Sequence, residues 1–92
     1  MSARKPLVSV IVPCYNGADW VATAVRSVLE QDVADLELIL ADDCSVDASR
    51  DVARGAAVGD SRLVLLSAPR NLGMTANWNS ALSHARGRYV CK

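Results

Sequence analysis

Short apolar runs rich in β-branched residues alternate along this chain with amphipathic segments of helical period, and that alternation decides the fold class. Residues 7–12 (LVSVIV) form a nearly continuous apolar run, read as a strand buried on both faces and stopped by Pro13. Residues 14–17 (CYNG) read as a turn. From Ala18 the period changes. Val21, Ala24, Val25, Val28 and Leu29 make one helical stripe, with Asp19 near the positive end of the helix dipole. Residues 36–41 (LELILA) are a second strand running into Asp42-Asp43-Cys44-Ser45, where Ser45 is a candidate N-cap. The second helix turns Ala48, Val52, Ala53 and Ala56 inward and Asp47, Arg50, Asp51 and Arg54 outward. Residues 63–66 are a third strand. A third helix follows, with Met74, Trp78, Ala81, Leu82 and Ala85 on its apolar face and Gly87 as its left-handed terminator. Residues 88–91 begin a fourth strand.

The order β-α-β-α-β-α-β implies parallel strands joined by right-handed crossovers. The expected fold class is therefore α/β: a doubly wound, mostly parallel sheet with helices on both faces. Ninety-two residues make one domain, read as 7–92 after an N-terminal tail, 1–6. With two Trp, two Tyr and no Phe, its core must come from Val, Leu, Ile and Ala. Ten basic and ten acidic side chains cancel, so nothing favours nucleic acid as a partner. Cys14, Cys44 and Cys91 form no CxxC pair or metal-ligand pattern and read as reduced thiols of a cytoplasmic protein. No apolar run approaches the roughly 20 residues that span a bilayer, and no signal peptide is expected.

In such sheets ligands bind beyond the carboxyl ends of the strands. There the sequence delivers Pro13, Tyr15, Asn16 and Gly17 after the first strand, Asp42, Asp43 and Ser45 after the second, and Arg70, Asn71 and Gly73 after the third. The adjacent acids are the sharpest feature. Each can cap or be solvated, receive a cation, or accept a ligand N–H, being acceptor-only when ionised. Tyr15 can stack on a base or pack on the first helix. Asn77 and Asn79 are poor helix formers near a helix start, which suggests a polar role at the rim. His84 is read as a surface residue. A dinucleotide fingerprint fails, since residues 13–20 (PCYNGADW) hold one glycine, and no P-loop occurs.

Three ordered stretches resemble family 2 glycosyltransferases of the GT-A fold. They are VSVIVPCYNGADWVATAVRSVLEQ (Pro13, Tyr15, Asn16, Ser27, Val28, Leu29, Gln31), LELILADDCSVDAS, and NLGMTANWNSALSHARGRYV. The resemblance implies the Rossmann-like, nucleotide-binding half of such an enzyme, with a UDP- or dTDP-sugar donor and an unspecified acceptor. It places Tyr15 by the base and gives Asp43 the N3–H of a pyrimidine. Asp42 then supports the loop, Pro13 shapes the first loop, and Asn71 and Gly73 border ribose and phosphates. Asn16, Ser45 and Asn77 complete the nucleotide-sugar-binding set. The family's helix-three Ala-Arg-Asn is Ala76-Asn77-Trp78-Asn79 here, so an arginine is missing. Its metal-binding Asp-x-Asp and catalytic base would follow Lys92. The 92 residues are therefore expected to hold no catalytic or metal-binding residue and to be inactive alone. A divalent Mg or Mn would belong to the full-length enzyme, which would be cytoplasmic and peripheral to the membrane. Exposed sheet edges imply self-association. A receiver-type signalling module is the alternative, but it wants acids after strand one and an Asp after strand three, where this chain has Pro13 and Ser67-Ala68-Pro69. A nucleotidyltransferase would want a Gly-rich, basic first loop.

Overall fold

The computed structural model describes residues 6–31 and 35–91, which leaves Lys92 and all of the expected tail but Pro6 outside the described residues. The elements are β1 (Val8–Cys14), α1 (Val21–Leu29), β2 (Leu36–Asp42), α2 (Ser49–Ala56), β3 (Leu63–Ser67), α3 (Met74–His84) and β4 (Tyr89–Cys91). All strand pairs are parallel, in the order β3-β2-β1-β4. The chain thus steps outward from β1 to β3, and α3 carries it back to the far side of β1. This is the doubly wound α/β sheet that the alternating periods imply.

Period two along the strands sorts the side chains into two cores. Leu36, Leu38 and Leu40 of β2 pack with Val21 and Val25 of α1, Ala53 of α2 and Ala57 at its C-terminal cap on one face. Ile11, Ile39 and Ala41 meet Ala81 of α3 on the other. Every residue of β2 is buried. Ile11, Leu38, Ile39 and Leu40 are fully enclosed, and each such side chain contributes about 1.5–3 kcal/mol.

Four local expectations need correction. Pro13 does not stop β1; it pairs within it, opposite Ala41. Among the described residues β4 flanks β1 only at Val8–Val10, so Pro13 sits where β1 has a free edge and no ladder donor is required. Ser45 does not cap α2. Ala48 holds the N-cap position without a side-chain bond, because Ser45 is drawn into the loop before it. The apolar face of α3 is rotated: Met74 is 79% exposed and Leu82 38%, whereas Asn77 is buried with Ala81. The cause is the Asn77 Nδ2 donating to the Ala41 carbonyl at 2.9 Å, which fixes the helix on β2. Finally, α3 ends at an extended Ala85, and Gly87 is not left-handed. Gly87 is required by close approach, since a Cβ there would lie 2.5 Å from the Ser9 backbone nitrogen. Among the described residues, no helix is long and apolar enough to cross a membrane.

Candidate functional site

At the carboxyl end of β1, beside which the strand order reverses, the rim loops enclose a cleft of about 430 Å³. Pro13, Cys14, Tyr15, Asp43, Asn71, Gly73, Met74 and Asn77 line it. Six of these residues are in the sequence-derived set. Asn16, Asp42 and Ser45 are not in the cleft wall; they stand behind it.

The acids divide the work of the rim. Asp42 is fully buried, and its carboxylate accepts from the Ser45 N–H at 3.0 Å and the Ser45 hydroxyl, with Arg50 Nε 3.7 Å away. The acid is dry but not unpaired, which is the condition for burying a charge. Asp43 is 5% exposed. Its two oxygens accept the consecutive N–H groups of Leu72 (2.6 Å) and Gly73 (2.9 Å), and its carbonyl accepts from Asn71 Nδ2 at 3.4 Å. A carboxylate has room for about four donors, so Asp43 keeps acceptor capacity toward the cleft. Gly73 has φ 85° and ψ 163°, a region open essentially to glycine alone, and this turns both N–H groups onto Asp43.

The first loop is held from behind. The N–H groups of Asn16, Gly17 and Ala18 donate to Ser45 Oγ (2.8 Å), Ser49 Oγ (2.7 Å) and Asp47 Oδ2 (3.1 Å). In return the Val46 N–H donates to Asn16 Oδ1 at 2.9 Å. Asn16 (φ 50°) and Cys44 (φ 59°) are both left-handed, the first a residue that tolerates this region and the second one that does not. The Asp47 carboxyl is held below its ordinary range by the Ser49 hydroxyl, against a small desolvation effect, with the Ser49 and Ala18 N–H groups adding to the lowering. Sequence reasoning missed Asp47 and Ser49, although the alternation of Ser45, Asp47 and Ser49 on one stretch was a readable signal. It also missed Cys14 and Met74 as lining residues.

Tyr15, 53% exposed, offers its ring to the cleft mouth. Burial pushes the Cys14 thiol up, outweighing the bond from Ser49, which favours its neutral form. Among the described residues, no lysine or arginine lines the cleft. Among the described residues, no group of three or more His, Cys, Asp or Glu side chains could hold a metal. Asp43 is the one carboxylate among the described lining residues, so they do not supply the several charged oxygen ligands that a divalent ion takes. His84 is exposed, with Nδ1 2.9 Å from the Ser80 carbonyl on its own helix.

Comparison with known proteins places this geometry. The sequence profile of glycosyl transferase family 2 matches residues 9–91. The putative teichuronic acid biosynthesis glycosyltransferase TuaG of Bacillus subtilis is 42% identical over 90 residues, covering 98% of this chain and 36% of that protein. The mannosyltransferase PcManGT from Pyrobaculum calidifontis, solved in complex with GDP-Man and Mn2+, superposes with a TM-score of 0.84 at 32% identity, over 96% of this chain and 27% of its own. S. aureus TarS gives a TM-score of 0.79 at 30% identity, over 91% of this chain and 26% of its own. The chain spans about a third or less of the length of these proteins. The sheet is the Rossmann-like part of a GT-A fold.

Proposed function

Since the chain belongs to glycosyl transferase family 2, we propose that its cleft receives the nucleoside of a nucleotide-diphosphate-sugar donor, on behalf of an enzyme that transfers the sugar to an acceptor hydroxyl. One observation carries this reading. Among the described residues, the cleft at the strand ends offers an aromatic residue, amides and a single carboxylate, with no cation. That lining suits a neutral base and ribose rather than a bare phosphate. Tyr15 stacks on the base, Asp43 accepts its ring N–H, and Asn71 and Gly73 border the ribose. Asn77 holds α3 in place beneath them, and Pro13 shapes the first loop. Asn16, Asp42 and Ser45 support the wall rather than touch the ligand.

Uracil and thymine carry an N–H at ring position 3, where cytosine carries an acceptor, so UDP- and dTDP-sugars fit this role. PcManGT was solved with GDP-Man. Guanine also carries a ring N–H, at position 1, and the same carboxylate suits it. The metal, the base that activates the acceptor, and the acceptor itself belong in this proposal to the full-length enzyme. Residues 7–92 are its nucleotide-binding portion, and the 92 residues alone bind without transferring sugar. The free thiols of Cys14 and Cys44 support a reducing, cytoplasmic setting for an enzyme peripheral to the membrane. The receiver-type reading is not favoured, because the strand-end acids are engaged by their own loops.

Calorimetric titration of UDP, GDP and CDP tests the assignment. Asp43→Ala is expected to weaken UDP binding about tenfold or more, since a buried donor on the ligand loses its acceptor. CDP stays weak in both proteins. Unchanged UDP affinity in a folded Asp43→Ala protein, or CDP binding as tight as UDP, would overturn the role.

A further inference from the structure

Three consecutive backbone N–H groups of one rim loop all donate to side-chain oxygens of residues 45–49, the segment that leads from β2 into the first turn of α2. The loop's own carbonyls do not satisfy them, because α1 begins only at Val21. The acceptors are well founded. Ser49 is fully buried on the first turn of α2, Ser45 is 4% exposed and bonded to the buried Asp42, and Asp47 is tied to both the N–H and the hydroxyl of Ser49. The same segment holds the opposite wall through Asp43. The polarity is mostly one-way: the flanking loops give five backbone N–H groups to side-chain oxygens of the central segment, and the Val46 N–H returns one bond to Asn16 Oδ1.

We propose that Asp47 and Ser49 are positioning residues of the cleft, which set Tyr15 by clamping the three amides that follow it. This rests on the nucleoside reading above. Neither residue lines the cleft. They act by keeping residues 16–18 in one backbone conformation, so that binding does not have to order the loop. Trp20 reinforces the clamp from outside, its indole lying where a Gly17 Cβ would be, at 2.6 Å. A larger residue at 17 would have to displace that indole.

Amide exchange measured by NMR, together with UDP titration, tests the clamp. The Asn16, Gly17 and Ala18 amides are expected to exchange slowly in the unsubstituted protein. Ser49→Ala should release Gly17 and Asp47→Ala should release Ala18, each weakening UDP binding about fivefold. Asp47 is exposed, so Asp47→Ala tests the idea without disturbing the core. Because the effect runs through Tyr15, it should vanish when Tyr15 is already Ala; a general loss of stability would persist there. Fast exchange at these amides in the unsubstituted protein, released amides with unchanged UDP affinity, or an equal loss in the Tyr15→Ala background would each overturn the clamp. Slow amides in a protein that binds neither UDP nor GDP would sink the nucleoside reading instead.

Discussion

Cys44 carries a Cβ at φ 59°, where L-residues other than glycine and asparagine pay about 1–2 kcal/mol. It stands between Asp43, which holds the third loop, and Ser45, which holds the first, and its backbone turn is what aims the two in different directions. Cys44→Gly is expected to leave the protein as stable or up to about 1 kcal/mol more stable, the relieved strain outweighing the added freedom of the unfolded chain. Cys44→Val, β-branched, should cost more than about 1 kcal/mol. Denaturant midpoints decide it, and a Gly variant less stable than the Val variant would refute the strain. At this scale the sequence marked the residues of the rim, and six of them line the cleft. Asn16 and Ser45 belong to the binding set by resemblance and Asp42 reads as a support of the loop; in the structure all three are engaged behind the cleft wall. Their partners lie nearby in space but, for the first loop, 29 to 32 positions away in sequence, beyond any local pattern. Asn77 was legible as an oddity in a helix, and its burial explains why a poor helix former stands there.

At the opposite end of the sheet, another buried acid ties elements together. Glu37 of β2 is 3% exposed, and its carboxylate accepts from the Ser9 hydroxyl of β1, the Arg86 N–H at 2.7 Å and Arg86 Nε at 3.3 Å. The Gly87 N–H in turn donates to Ser9 Oγ at 2.7 Å. This network seats the α3–β4 turn on β1 and β2. Burial pushes the Glu37 carboxyl up, but the bonds from Ser9 and Arg86 prevail and hold it below the ordinary 4.5. A lowered folded pKa means stability that is present above about pH 4.5 and lost as pH falls through the folded value. Acid should therefore weaken the protein, and Glu37→Gln should lower its stability near neutrality by about 1–3 kcal/mol while flattening the acid limb. Thermal melts of both proteins from pH 7 to about pH 3 check this; parallel curves would exclude Glu37. Element order was fully legible, because period two and period 3.6 are local. Element ends were not. The start of α2 and the rotation of α3 are set by tertiary hydrogen bonds, which override a capping preference and an apolar stripe.

Across the whole molecule, the sheet has β3 and β4 at its edges. Within the described residues β4 is three residues long and exposed throughout, with Tyr89 at 58% and Val90 at 47%, and Leu7 beside it at 41%. Parallel sheets are ordinarily covered, and an open apolar edge recruits another strand. The 92 residues are expected to self-associate as concentration rises, and Val90→Lys should suppress it. Sedimentation velocity over a concentration series measures this, and a clean monomer at every concentration would count against it. The clamp behind the cleft has a different consequence. The loops at residues 15–18 and 71–73 are gripped mainly by their main-chain amides, while the Tyr15 and Met74 side chains that line the cleft take no part in those hydrogen bonds. Tyr15 and Met74 can therefore be exchanged without loosening the frame around them. A rim built this way can change its lining one residue at a time, with its architecture inherited unchanged.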